Sequence, residues 1–129
     1  MTEAKALQHR TKKFAVRALR VYRSMQGTSE GDIVGRQFFR AATSVAANYR
    51  AACRAKSRKD FIFKLGVVEE EADECQFWLE FIAESEMLPQ SKLKDLASEA
   101  SELTAIFVSS RQTAKANNRK SEIANRKFQ

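Results

Sequence analysis

The sequence predicts an all-α fold, an antiparallel up-down-up-down bundle of four helices. Three observations predict it. Only one of the 129 residues is a proline and only four are glycines, whereas sheet-rich folds use many of both in their turns. Apolar residues recur at spacings of three and four along four long segments, which is typical of helices that bury one face. The connections between these segments are short, so consecutive helices should run antiparallel.

The first helix is predicted from about Ala4 to Gln26. One face carries arginines and lysines, and the other carries apolar residues at helical spacing: Leu7, Phe14, Ala18, Tyr22 and Met25. Gly27 and the polar residues after it should end this helix, with Ser29 or Asp32 as the N-cap of the next.

The second helix is predicted from about Ile33 to Ala55. Its apolar residues alternate at spacings of four and three, as in the seam of a bundle helix: Phe38, Ala42, Val45, Tyr49 and Ala52. A polar stripe lies beside this seam: Gln37, Arg40, Ser44 and Asn48. We expect Arg40 to pair with Glu71 or Glu74 of the third helix at a partly buried helix contact.

The third helix should begin after Ser57, because Ser57 and Asp60 have the spacing of a capping box. Its seam runs without interruption: Phe61, Leu65, Val68, Ala72, Cys75, Leu79 and Ile82. Leu88 and Pro89 should close the segment, which at 1.5 Å per residue is about 42 Å long.

A second apolar stripe lies on the opposite side of the third helix: Phe63, Val67, Phe77 and Phe81, flanked by Trp78. One bundle core cannot bury both sides of a helix. Either this helix is packed deeply between its neighbours, or the stripe is a subunit interface, where aromatic residues are enriched. The subunit interface is the favoured interpretation.

The fourth helix is predicted from about Ser91 to Ala114, with a seam of the same spacing: Leu93, Leu96, Ala100, Leu103, Phe107 and Ser110. The residues beyond it are polar and basic. We therefore expect residues 1–115 to form the bundle and residues 116–129 to form a flexible basic tail.

The net charge of +7 is unevenly distributed along the chain. Residues 1–64 carry +11, residues 65–110 carry −9 and residues 111–129 carry +5. The first two blocks can neutralise each other, whereas the last block has no such partner. The remaining positive charge favours an anionic ligand such as nucleic acid. The candidate contacts are cations of the first two helices, the end of the fourth and the tail: Lys12, Lys13, Arg17, Arg20, Arg23, Arg36, Arg50, Arg54, Arg111, Lys115, Arg119, Lys120, Arg126 and Lys127.

The sequence offers little for catalysis or for a metal site. It contains no phosphate-binding loop, dinucleotide fingerprint, zinc-protease or serine-hydrolase motif. His9 is the only histidine, and Cys53 and Cys75 are not spaced as zinc ligands. We therefore expect no enzymatic activity, no cofactor and no metal, and two reduced, partly buried thiols.

The first residues lack the apolar core of a secretory signal, and no apolar stretch is long enough for a transmembrane helix. The expected location is the cytoplasm, with no membrane partner. Binding of the first helix to an anionic membrane surface is the least favoured alternative, since this helix has few large apolar residues at its start.

Two stretches of the chain carry a family resemblance. The stretch from Gln37 to Asn48 fits the pattern QxxRAxxSxxxN, and SRKDFIFKL at 57–65, followed by EEADE at 70–74 and WLE at 78–80, fits a second pattern. They resemble the four-helix-bundle family of proteins encoded in intervening sequences of 23S rRNA, the S23 proteins. The chain departs from the commoner branch after Asn48, where an NIAEG-type stretch is replaced by YRAA, and at Glu70-Glu71, which replace a Gly-Ser pair.

The resemblance implies a bacterial, cytoplasmic up-down bundle with no known catalytic activity. It also implies assembly as a ring-like homopentamer. A distantly related group serves the reverse transcriptases of diversity-generating retroelements, in which a basic pentamer contacts nucleic acid and the polymerase. The resemblance thus implies a reverse transcriptase as a candidate partner.

Two functions follow from these observations. The leading hypothesis is a non-enzymatic, oligomeric protein that binds nucleic acid, RNA above all, by neutralising phosphates. The alternative is a protein–protein scaffold or accessory subunit, for example of a reverse transcriptase, whose charged blocks serve assembly only. Binding of nucleic acid at low salt distinguishes the two.

Overall fold

The protein consists of four α-helices joined by short connections, in a computed structural model that describes residues 1–127. The helices are α1 (Glu3–Ser24), α2 (Ser29–Ala52), α3 (Arg58–Glu84) and α4 (Gln90–Lys127). Residues 1–127 contain no β-strand. Each helix packs along the next one in the chain, whereas α1 and α4 touch only locally. The predicted all-α four-helix bundle is confirmed.

Contacts between α1 and α2 show the direction of the first pair. Phe14 packs edge-on against Phe38, while Tyr22, further along α1, donates to Asp32, which is earlier in α2. Contacts whose numbers rise on one helix and fall on the other define an antiparallel pair. The connections to α3 and α4 are as short, so the chain goes up and down in alternation.

The predicted seams meet in one continuous hydrophobic core. Every predicted seam residue of α2 is buried, and so are those of α3 from Leu65 to Ile82. Phe61 at the start of α3 and Ser110 in α4 are partly exposed. The sequence periodicity therefore identified the buried face of each of these helices.

The α1 seam differs slightly from the prediction. Leu7 and Tyr22 are only half-buried, whereas Thr11, which the apolar pattern passed over, is fully buried. The Thr11 hydroxyl donates to the carbonyl oxygen of Gln8 at 3.0 Å. A buried hydroxyl that bonds to its own helix backbone leaves no polar group unsatisfied, so this site tolerates a threonine.

The start of α2 corrects the sequence prediction. Thr28 is the N-cap, and its side-chain oxygen accepts a hydrogen bond from the Gly31 amide at 3.0 Å. The assignment of Ser29 or Asp32 as the cap is therefore wrong. In sequence, glycine and aspartate at 31–32 indicate a turn, but Asp32 lies in the first turn of α2, where its charge suits the helix dipole.

The start of α3 confirms Ser57 as the N-cap, with a variant of the capping box in which Asp60 bonds one residue earlier than Ser57. The Ser57 hydroxyl accepts from the Asp60 amide at 3.1 Å, and the Asp60 carboxylate accepts from the Lys56 amide at 3.1 Å. Lys64, one turn later, donates to the same carboxylate at 2.8 Å. Lys64 and then the Lys56 amide hold the pKa of Asp60 below its usual value.

The fourth helix is longer than the sequence analysis predicted. It continues past Ala114 to Lys127, so residues 116–127 are helical where an irregular tail was expected. No proline or glycine follows Pro89, and nothing therefore stops the helix. Arg58 at the start of α3 bonds to the Asn117 carbonyl and the Ser121 hydroxyl. The rest of the predicted tail, residues 128 and 129, lies outside the described part of the chain.

The turn after α3 places a non-glycine residue in the left-handed region. Glu86 has φ of 59°. The Met87 amide donates to the Ile82 carbonyl at 3.1 Å, and the Glu86 amide donates to the Ala83 carbonyl at 3.1 Å. These two hydrogen bonds close the end of the helix. This is the position at which helices usually carry glycine.

We expect Glu86→Gly to raise the free energy of unfolding by about 0.5–1 kcal/mol, because glycine adopts this backbone without a Cβ penalty. Urea denaturation followed by circular dichroism measures the change. Glu80→Gly is the matched control, since Glu80 is an exposed residue inside α3 and should lose about 1 kcal/mol. A loss at both positions would contradict the expectation.

Candidate nucleic-acid interface

The outer surface of the α1–α2 pair contains a groove of about 690 Å³, which we call the α1–α2 groove. Basic side chains come from both of its walls: Lys5, His9 and Lys12 from α1, Arg50 from α2, and Arg54 from the turn that follows α2. No carboxylate is among the residues that line it. The groove is therefore a concentration of positive charge.

The helix periodicity explains this arrangement. Lys5, His9 and Lys12 are spaced by four and three residues, so they lie on one side of α1. Arg50 is in the last turn of α2, and Arg54 follows two residues after the end of that helix. Because α1 and α2 are antiparallel, the start of α1 lies beside the end of α2, and the two sets face the same groove.

The floor of the α1–α2 groove is made of small side chains: Ala15, Thr43, Ala46 and Ala47. Small residues let an extended ligand approach the helix backbones closely. Within residues 1–127, no ion pair involves any of the basic groups on the groove walls. These groups are thus free to contact an external anion.

A shallow depression on the outer side of α1 continues this charged surface. It is lined in part by Lys12, Lys13, Arg17 and Arg20, and His9 lies on both depressions. Arg23 is exposed in the last turn of α1. The structure therefore brings Lys12 together with Arg50 and Arg54, and it places Lys13, Arg17 and Arg20 on the adjoining depression. The spacing of Lys5 and His9 with Lys12 is a signal that the sequence analysis overlooked.

The remaining candidate cations lie elsewhere. Lys115 and Arg119 line a separate depression between α3 and α4, and Lys120 is exposed on α4. Arg36 is exposed and pairs with Asp32 at 2.8 Å. The neighbouring Tyr22 hydroxyl, and then the charge of Asp32, raise the pKa of Arg36 further above its usual range.

Arg111 is half-buried where α3 and α4 meet. Its guanidinium packs against Gly66, where an added Cβ would lie 3.2 Å from Nε, and it approaches the Glu69 carboxylate to 3.5 Å. Its buried Nε has no hydrogen-bond partner among the described residues. We therefore leave Arg111 out of the nucleic-acid contacts, because its charge is used to join α3 and α4.

The predicted polar stripe joins α2 to α3. Arg40 donates to Glu71 at 3.4 Å and also pairs with Glu74, and it donates to Gln37 at 3.3 Å. The Trp78 indole donates to Glu74 at 3.1 Å. Because the Arg40 side chain is 47% exposed, this pairing contributes about 1 kcal/mol at most, far less than a buried pair.

Ser44 and Asn48 bond to each other rather than to α3. The Asn48 amide donates to the Ser44 hydroxyl at 2.8 Å and to the Ser44 carbonyl at 2.9 Å. Both side chains are half-buried. Their hydrogen bonds are thus satisfied within one turn of α2.

An ion pair that the sequence analysis did not predict joins α1 to α4. Arg10 donates to both oxygens of Glu99, at 2.8 and 2.7 Å, and to Glu102 at 3.0 Å. This two-pronged geometry is the strong form of the arginine–carboxylate pair. Arg10 holds the pKa of Glu99 below its usual value, and the charge of Arg17 adds to the effect.

We expect Glu99→Gln to lower the free energy of unfolding at about pH 7 by about 1 kcal/mol. The folded-state pKa of Glu99 is depressed, so its stabilisation is complete above the unfolded value and is lost as the pH falls through the folded one. The difference between wild type and variant should therefore shrink on acidification, as measured by urea denaturation. Glu102→Gln, whose side chain is more exposed, should show a smaller difference at neutral pH.

The second stripe of α3 is exposed in the single chain. The exposed fractions are 71% for Phe63, 52% for Phe77 and 41% for Phe81, while Val67 and Trp78 are half-buried. The Phe77 ring lies 4.9 Å from Trp78 and 6.2 Å from Phe81, between ring centroids. Deep packing between the chain's own helices therefore does not account for this aromatic surface.

The two cysteines are unpaired in the described part of the chain. Cys53 is half-buried and Cys75 is buried, and burial raises the pKa of Cys75. Residues 1–127 hold no group of three or more metal-ligating side chains. In the same part of the chain, no helix is long and apolar enough to cross a membrane.

Comparison with known proteins identifies a matching family and similar solved structures. The family described as "23S rRNA-intervening sequence protein" matches residues 4–109. The chain is 27% identical to a protein of unknown function from the S23 ribosomal protein family of Bacteroides thetaiotaomicron VPI-5482, whose crystal structure was determined at 1.70 Å. The match covers 86% of this chain and 99% of that one, with a TM-score of 0.80. No curated protein matches the chain.

Proposed function

The chain belongs to the family of 23S rRNA-intervening sequence proteins, and we propose that it is a non-enzymatic, cytoplasmic homo-oligomer that binds nucleic acid, RNA in particular. The observation that carries this proposal is the α1–α2 groove, in which Lys5, Lys12, Arg50 and Arg54 converge. RNA is the first ligand to test, because the family is named after a segment of 23S rRNA.

The chemistry of the groove is phosphate neutralisation. Each lysine or arginine that contacts a phosphate releases a counterion, so the affinity falls steeply with salt. Such contacts position a nucleic acid but read little sequence. We therefore expect tight binding at low salt with weak sequence preference.

A salt titration tests the proposal. Fluorescence anisotropy of a labelled RNA should show binding at about 50 mM salt and a loss of affinity of about a hundredfold by about 200 mM, as expected for roughly four phosphate contacts. The absence of binding at low salt would overturn the proposal. Binding that is insensitive to salt would assign the affinity to a different kind of contact.

The exposed aromatic surface of α3 supports the oligomeric part of the proposal. Phe63, Phe77 and Phe81 leave an apolar area that is unusual for a monomer. Five subunits is the number that the resemblance implies. Repetition of the α1–α2 groove around such an assembly would raise the avidity for a long nucleic acid.

Phe77→Glu should dissociate the assembly, raising the dissociation constant between subunits by about tenfold or more, since a charge would enter an apolar interface. Sedimentation at micromolar concentration measures the mass, and circular dichroism should show that the helix content is kept. Ile123→Glu is the control, because Ile123 is an exposed apolar residue on α4. A wild-type monomer under these conditions would refute the oligomer.

A scaffold or accessory subunit is the second candidate function. The aromatic surface favours it, since this surface could take another protein, with a reverse transcriptase as the candidate partner. An assembly that forms normally and binds no nucleic acid at low salt would support this function in place of the first.

A further inference from the structure

Basic side chains on the α1–α2 groove form two rows, one on each wall. The α1 row consists of Lys5, His9 and Lys12, and the α2 row consists of Arg50 and of Arg54, which follows the end of α2. None of these groups has an ion-pair partner within residues 1–127. Lys12 lies seven residues after Lys5, which is about 10 Å along α1.

The two rows are separated by a shallow, unobstructed floor. Packed helices have axes about 8–10 Å apart, and the α1–α2 groove between them is floored by Ala15, Thr43, Ala46 and Ala47. A ligand that lies along the groove would therefore meet one row of cations on each side. This arrangement fits two lines of negative charge better than one.

No aromatic side chain is among the residues that line the α1–α2 groove, and those further along the same two helices are already engaged. Tyr22 and Phe39 stack on each other with ring centroids 5.8 Å apart, and the Tyr22 hydroxyl donates to Asp32 at 2.9 Å. Both rings are half-buried. Proteins that bind single strands stack successive bases on exposed rings, and these two rings are not presented in that way.

We infer that the ligand of the α1–α2 groove is a duplex nucleic acid, whose two phosphate backbones each contact one row of cations. This inference rests on the proposed function and names the substrate class of the same site. The length of the α1 row corresponds to about three base pairs at 3.4 Å per pair. Recognition of this kind reads the shape and charge of the duplex, not its base edges.

A comparison of the affinities for a single strand and for duplexes tests the inference. Fluorescence anisotropy with a single-stranded RNA of about 12 nucleotides, its duplex and the DNA duplex of the same sequence gives three affinities at one salt concentration. We expect at least one duplex to bind about tenfold or more tightly than the single strand. Equal or tighter binding of the single strand would overturn the inference while leaving the proposed function intact. Binding of none of the probes would overturn both.

The same measurement distinguishes an RNA duplex from a DNA duplex as the ligand. A preference for the RNA duplex indicates recognition of its wide minor groove and 2′-hydroxyls. Equal affinities for the RNA and DNA duplexes indicate recognition of the backbones alone. Both results support a duplex ligand.

A second measurement removes the α2 row. Arg50→Gln with Arg54→Gln should reduce the preference for duplex over single strand to within about threefold, because only one backbone keeps its contacts. Lys92→Gln with Lys94→Gln is the charge-matched control, on exposed positions of α4, and should keep the preference. Unchanged preference in the Arg50 and Arg54 variant, or an equal change in the control, would overturn the inference.

Discussion

Lys12→Glu combined with Arg50→Glu should weaken the binding of RNA by about a hundredfold or more at low salt. The two residues come from opposite walls of the α1–α2 groove, and neither has an ion-pair partner in the described chain. Each reversal removes one phosphate contact and adds a repulsion that is strong at low ionic strength. The remaining affinity should also depend less on salt, since fewer counterions are released.

The control for this experiment changes the same amount of charge in a different place. Lys92→Glu combined with Lys94→Glu gives the same net charge, but both residues lie on exposed positions near the start of α4. If net charge alone governed binding, both double variants would lose equal affinity. Fluorescence anisotropy across a salt series separates the two cases, and an equal loss would place the site outside the α1–α2 groove.

Neither pair of reversals should affect folding. Lys12 and Arg50 are both exposed, and they do not contribute to the core. Circular dichroism and urea denaturation of both variants should therefore agree with those of the wild type. A large loss of stability would make the binding result uninterpretable, and Lys12→Gln combined with Arg50→Gln then provides the milder test of the same contacts.

The helical periodicity predicted most of the fold because each helix buries one face. In α3 the buried face from Leu65 to Ile82 could be predicted without tertiary information, because the spacing alone shows which side of the helix is apolar. The end of α4 was harder to predict. Its last turns are mostly polar and have no apolar seam, and a polar helix and a polar tail have similar compositions.

The candidate site was only partly predictable, because charge in a sequence does not show which cations are already paired. Arg111 and Lys12 are equally basic in sequence, yet the first joins Glu69 across α3 and α4 and the second is free in the groove. The pairing of Arg10 with Glu99 depends on how α1 and α4 meet, which no local pattern encodes. Three-dimensional packing therefore decides which charges can serve a ligand.

Gly31→Ala should lower the free energy of unfolding by about 2–4 kcal/mol, although alanine is the better helix former. A Cβ on Gly31 would overlap the carbonyl oxygen of Met25 and lie 2.8 Å from the Thr28 hydroxyl. Backbone on the opposite side of the turn cannot move away as a flexible side chain can. The substitution would therefore push α1 and α2 apart and break the Thr28 cap, which is itself worth about 1 kcal/mol.

Gly27→Ala is the internal control for this prediction, because both glycines belong to the same α1–α2 junction. An added Cβ on Gly27 meets nothing within 4 Å, and no glycine has a positive φ. Gly27→Ala should thus be neutral, or stabilising by about 0.5 kcal/mol through the unfolded state. Urea denaturation at one fixed protein concentration compares the two, since assembly would add to the apparent stability. Equal stability of both variants would mean that the junction yields to the extra methyl group, and that the close approach of Gly31 to Met25 does not hold α1 against α2.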